Sequence, residues 1–186
     1  MDNSINNVSF RANLKPLTKI ENKKAFIEVR QLFKEGTKQY PKDNFIISEE
    51  SAYINSPDNI SEELFIDNIN ILLNSMSPKE LANKLINNFN ALKFNQQEVD
   101  AITLIKAGIK RAKSLLRTNI SIATACQKNG NVTMAKRYKV LAQNNEAKIN
   151  SLRTELAVRT DSYNGKILDM AKQDKDLKQL IIRNII

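Results

Sequence analysis

The sequence predicts a mainly α-helical bundle dominated by a long antiparallel helical hairpin of coiled-coil character, with a small β-hairpin and an extended element in its N-terminal half. Three observations predict it. Apolar residues recur at alternating steps of three and four along both sides of the turn Asn129-Gly130-Asn131. The tetrapeptide Ser77-Pro78-Lys79-Glu80 combines a capping serine, a proline at the first helical position and a glutamate three residues after the cap, which together open a helix. Two short apolar runs, 44–47 and 52–55, flank the polar Ser48-Glu49-Glu50-Ser51 and read as paired strands.

Taken in order, Val8, Phe10, Ala12 and Leu14 alternate with polar residues before Pro16, predicting a short strand or extended arm over 8–14. From Lys23 to Glu35 a helix places Phe26, Val29, Leu32 and Phe33 on one face, and Gly36 follows its end. The hairpin of strands comes next, and two strands alone are marginal in water, so it needs a helix or the N-terminal strand beside it. Ser61 then reads as a helix cap, with Glu62 and Glu63 in the positive first turn, Ile60 stapled on Phe65, and Leu64, Phe65, Ile69, Leu72 and Leu73 at helical spacing. The helix opened by Ser77 buries Leu81, Leu85, Phe89 and Leu92.

Asn95 with Glu98 repeats the capping pattern and predicts a fresh helix of roughly 34 residues running to Gly130. Its seam is Ile102, Ile105, Ile109, Ala112, Leu116, Asn119, Ala123 and Cys126, and the returning seam is Ala135, Tyr138, Ala142, Asn145, Ile149, Leu152 and Leu156. Folding at Gly130 is expected to pair Ala123 with Ala142, Leu116 with Ile149, Ala112 with Leu152 and Ile109 with Leu156. The same pairing sets Asn119 against Asn145, a polar layer that would fix the register. Leu115, Ile122, Met134 and Leu141 widen the stripe on one side, which calls for a third helix. The candidates are the Ser77–Lys93 helix and a C-terminal segment from Asp161 to Ile186, bent at Ser162-Tyr163-Asn164-Gly165. The apolar run 180–186 must be buried, internally or against a partner.

The expected organisation is an α+β region, 1–94, followed by a basic helical region, 95–186, packed together as one folding unit. A chain of 186 residues can bury roughly 70% of its unfolded surface without covalent staples. The net charge of +9 is unevenly placed: residues 1–94 carry 12 basic and 12 acidic side chains, whereas 95–186 carry 17 and 8. Every charged residue in the block 43–78 is acidic (Asp43, Glu49, Glu50, Asp58, Glu62, Glu63, Asp67), and every one between Asp100 and Glu146 is basic. These are Lys106, Lys110, Arg111, Lys113, Arg117, Lys128, Lys136, Arg137 and Lys139, the candidate ridge for an anion or partner.

Catalytic patterns do not form. The four glycines stand alone, so no phosphate-cradling loop can be written, and with no histidine a serine or cysteine nucleophile lacks its usual base. The single Cys126 excludes an internal disulfide framework and, on the seam, reads as a small buried hydrophobe. The pairs Glu49-Glu50 and Glu62-Glu63 are assigned to a turn and a helix start. No enzyme, metal, cofactor or small-molecule substrate is implied. There is no signal-peptide pattern and no apolar run of about 18 residues, so the cytoplasm is the default location.

The stretch from Ala125 to Tyr138, with Gly130, Ala135 and Tyr138 at similar offsets, resembles the inter-helix turn of a tetratricopeptide repeat. The resemblance covers the turn alone, since both arms overrun that repeat's period of about 34 residues and no second copy follows. It implies shared helical-hairpin chemistry. The functional expectation is a non-catalytic interaction or structural protein presenting a charged hairpin surface to a protein partner or to another copy. The alternative is a nucleic-acid-binding module using the basic hairpin tip.

Overall fold

The computed structural model describes residues 12–57, 59–178 and 180. Val8 and Phe10 of the expected arm, Asp58 of the acidic block and residues 181–186 of the apolar terminus lie outside them. The elements are β1 (Asn13–Pro16), α1 (Lys23–Gly36), β2 (Asn44–Ile47), β3 (Ser51–Asn55), β4 (Leu64–Phe65), α2 (Ile69–Ser75), α3 (Pro78–Lys128) and α4 (Val132–Gln173), followed by a 3-10 turn at Lys175–Leu177. The chain divides into two compact units. The first takes the chain up to Gln96 and resumes at Ile167; the second is Gln97–Lys166.

In the first unit the strands form one sheet in the order β1-β2-β3-β4. The predicted hairpin is β2 and β3, antiparallel, with Phe45 opposite Ile54 and Ile47 opposite Ala52. β1 pairs with β2 in parallel, and α1 supplies the crossover that a parallel pair requires. The strand does not stop before Pro16. Proline is its last residue, and the ladder continues when Leu17 N–H donates to Ile47 O at 2.7 Å. Phe33 stacks on Phe45 at 5.5 Å and both meet Phe89 edge-on at 5.6 Å, which ties α1, the sheet and α3 into one core. α1 runs through Gly36. A Cβ there would collide with Ile86, so this glycine serves close packing against α3.

Ser61 is not a helix cap. Its hydroxyl accepts the Ile54 N–H at 2.7 Å and donates to Glu62 O at 2.9 Å, and Leu64-Phe65 form β4 against Ser51-Ala52. Leu64 is buried and Phe65 exposed, the alternation of a strand, so the expected staple of Ile60 on Phe65 gives way to two exposed side chains. The open edge of β3 recruits these residues, and α2 begins only at Ile69, capped by Asn68.

The start at Ser77 is as predicted: Ser77 N–H donates to Glu80 Oε2 at 3.0 Å and Glu80 N–H to Ser77 Oγ at 3.3 Å. Asn95 is not a second start. α3 runs unbroken for 51 residues, with Asn95 buried inside it. An asparagine costs a helix interior only a few tenths of a kcal/mol, about the propensity spread of ordinary residues, so without a proline or glycine nothing ends the helix there. Nor does α4 break at 162–165. α4 continues to Gln173, with Tyr163 buried and Gly165 tolerated mid-helix. Both expected third helices are therefore continuations of α3 and α4 themselves.

Candidate interaction surface

The Gln97–Lys166 unit is the two-helix hairpin. Its turn closes as a Schellman motif, in which Gly130 adopts φ 74°, Asn131 N–H donates to Cys126 O at 2.9 Å and Gly130 N–H to Gln127 O at 3.2 Å. Asn131 Oδ1 then caps α4 by accepting from Met134 N–H at 3.1 Å. Every seam position named above is buried or half-buried, Cys126 among them.

The register differs from the expected one by about one turn. Arg159 Nε donates to Glu98 Oε2 at 2.7 Å, whereas in the expected pairing Arg159 would face residue 106, about 12 Å along the helix from Glu98. Leu152 lies 3.4 Å from where a Cβ on Gly108 would stand. Asn145 shares a hollow with Ala112 and Leu115 in place of Asn119, and its Nδ2 donates to Leu141 O of its own helix at 2.8 Å. The physical reason is the turn: three linking residues between Lys128 and Val132 centre the fold-back on Gly130 itself, so residues equidistant from Gly130 face each other.

All nine residues of the predicted basic ridge are exposed, and among the described residues none is held in an ion pair or hydrogen bond. Lys106, Lys110, Lys113 and Arg117 fall at i, i+4, i+7 and i+11 and share one face of α3. Arg111 stands apart from them, on the side that carries Leu104, Gly108 and Leu115. Lys128 ends α3, where a cation is favourable, but the first turn of α4 has no acid, and Lys136, Arg137 and Lys139 follow within its second turn. Helix starts favour negative charge, so the basic tip runs against the local preference of its own helix.

Between α3 and α4 lies a hollow of about 380 Å³ lined by Gly108, Arg111, Ala112, Leu115, Asn145 and Lys148. Sequence reasoning found its apolar flank but missed Lys148, which lies beyond Glu146, where the run of purely basic residues ends. In the first unit a hollow of about 440 Å³ is lined by the amides Asn83, Asn87, Asn90 and Gln173, with Lys84 and Asp174 at its border. The spacing of the three asparagines could have signalled it. Lys84 makes ion pairs of 3.2 Å with Asp174 and 2.6 Å with Asp176. Burial would lower the Lys84 ammonium, and the hydrogen bond and charge of Asp176, with Asp174 behind it, outweigh burial and hold it above the ordinary lysine value.

The acidic pairs have structural partners. Glu49 accepts from Asn68 Nδ2 at 3.2 Å. Glu63, in extended chain beside β4, accepts from the Ser51 hydroxyl. Among the described residues no cluster of His, Cys, Asp or Glu could hold a metal ion, and no helix is long and apolar enough to cross a membrane. Comparison with protein-family models, curated proteins and solved structures finds no match. Function is therefore argued from this geometry.

Proposed function

We propose that this is a non-catalytic helical interaction protein that presents the basic surface of its hairpin to an acidic protein partner in the cytoplasm. The observation that carries the reading is the set of nine exposed cations, none neutralised among the described residues. Clustered like charge destabilises the compact state, and an anionic partner removes that repulsion while gaining charge-assisted contacts. The acidic block is partly committed within its own unit. Asp43 pairs with Lys93 at 2.8 Å, Asp67 with Lys175 at 3.1 Å, and Glu63 with Ser51. That supports an outside partner over self-association through opposite charges.

A second reading is nucleic-acid binding, favoured by the helical spacing of Lys106, Lys110, Lys113 and Arg117 along one face. Against it, the one aromatic near the tip is the half-buried Tyr138, which supplies little of the base stacking that single-strand binders use. Immobilised poly-glutamate and immobilised duplex DNA separate the two. The proposal expects salt-sensitive retention on poly-glutamate, lost when the four ridge residues become Gln. Stronger retention on DNA with the same loss favours the second reading, and no retention on either at low salt contradicts both.

A further inference from the structure

The side of the hairpin that carries the hollow has a different character from the basic ridge. On α3, Leu104, Gly108, Arg111, Leu115 and Ile122 fall at i, i+4, i+7, i+11 and i+18, one face of a helix. On α4, Met134, Leu141, Asn145, Lys148 and Leu152 fall at i, i+7, i+11, i+14 and i+18. The shared hollow lined by Gly108, Arg111, Leu115, Asn145 and Lys148 places these two faces on the same side of the hairpin. Leu104 is 73% exposed and Leu115 47%, and the continuous α3 and α4 leave no separate third helix among the described residues of this unit to cover them.

We propose that this face is a docking groove for an acidic amphipathic helix of a partner protein, an inference that rests on the reading of the hairpin as an interaction surface. Two neighbouring helices with a widened apolar stripe form the groove that a third helix fills. Gly108 and Ala112 lower its floor, so a partner backbone can approach closely. The partner's charge follows from the rim: Arg111 stands on one wall and Lys148 on the other, both exposed and neither held by an acid of the described chain. An entering helix with acids on both flanks of an apolar ridge matches both walls at once. A second copy of this chain would bring the same two cations against themselves.

The test uses the full chain and a synthetic labelled helical peptide three heptads long, with Leu and Ala on its ridge and Glu on both flanks, read by fluorescence anisotropy. The control peptide carries Lys in place of Glu. The expected result is saturable binding of the Glu peptide only. It weakens by about tenfold or more in Arg111→Glu with Lys148→Glu, as for charge pairs truncated at an interface, and also in Gly108→Phe, which fills the floor. Because Arg111 and Lys148 are exposed, their reversal leaves the fold intact by circular dichroism even where Gly108→Phe does not. Reversal of the exposed Lys15 and Lys24 of the first unit leaves peptide affinity within about twofold, as screened charges off the interface should.

The proposal is overturned by absent binding of the Glu peptide, by equal binding of the Lys peptide, or by equal loss on reversing Lys15 and Lys24 of the first unit. It is also overturned if the chain forms a dimer that Leu115→Glu dissociates, since the occupant is then a second copy. Binding that emerges only after residues 181–186 are deleted would make the chain's own terminus the occupant. If poly-glutamate retention survives while peptide binding is absent, the groove fails alone; if both are absent, the interaction reading fails with it.

Discussion

Arg159 holds Glu98 in a two-point fork, with Nε to Oε2 at 2.7 Å and Nη2 to Oε1 at 3.3 Å. The pair joins α4 to α3 near the base of the hairpin and fits the register in which Asn145 and Leu115 line one hollow. A double-mutant cycle of Glu98→Gln and Arg159→Leu, read by urea denaturation, should give a coupling of about 0.5–1 kcal/mol. That is the range for a partly exposed pair with good fork geometry. A coupling indistinguishable from zero would mean that the apolar seam alone sets the register.

The cap at Ser77 carries a pH signature. The hydrogen bond from the Ser77 hydroxyl, and then that from its backbone N–H, hold the Glu80 carboxyl below its ordinary value. A folded value depressed below the unfolded one contributes stability above the unfolded pKa, and the contribution is lost as pH falls through the folded one. Ser77→Ala should therefore destabilise the chain near neutrality and lose part of its effect in acid, the part carried by the hydroxyl bond to the carboxylate, while the cap bond from Glu80 N–H is lost at every pH. Thermal melts of wild type and variant across that range test it, and a pH-independent difference counts against the capping box.

Lys84 works in the opposite sense. Its folded value is raised, so its stabilisation is complete below the ordinary lysine range and disappears as pH rises through the folded value. Lys84→Met leaves the buried Asp176 without this counter-ion. It should cost about 2–4 kcal/mol near neutrality, a little below the roughly 3–5 kcal/mol for removing one partner of a fully buried pair, because the Lys84 side chain keeps 15% of its exposure. A loss below about 0.5 kcal/mol, the size of an ordinary surface substitution, would contradict the assigned role.

Asn88 is wholly buried in α3, and among the described residues neither its Oδ1 nor its Nδ2 has a hydrogen-bond partner. An unsatisfied buried amide costs more than an apolar side chain of similar volume. Asn88→Leu is therefore expected to raise stability by about 1–2 kcal/mol, measurable by chemical denaturation. Destabilisation would show that the amide is satisfied in solution.

Elements whose signals are local were legible in the sequence. The Ser77 box, the Gly130 turn and the alternation of β2 and β3 each depend on neighbours a few residues away, and the hairpin seam depends on a long periodic average. What was misread depended on tertiary context. Leu64 and Phe65 suit a helix face as well as a strand, and the edge of β3 decides between them. Asn95-Glu98 and Ser162-Gly165 look like a start and a bend, but cooperative helix propagation through one weak residue costs less than breaking the ladder. The register was misplaced by a turn because the step pattern fits more than one offset, and the Glu98–Arg159 pair that distinguishes them spans 61 residues. For the site, all nine cations are exposed but only Lys106, Lys110, Lys113 and Arg117 share one face, and the groove required knowing that Lys148 lines the same hollow as Arg111.

Binding of labelled poly-glutamate by two quadruple variants with the same change in net charge tests the central claim most directly. One neutralises Lys106, Lys110, Lys113 and Arg117 on the hairpin; the other neutralises the equally exposed Lys15, Lys19, Lys24 and Arg30 of the first unit. The hairpin variant should lose at least about tenfold in affinity at low salt, and the other should stay within about twofold of wild type. Equal losses in the two variants would mean that overall charge, rather than the hairpin surface, governs binding.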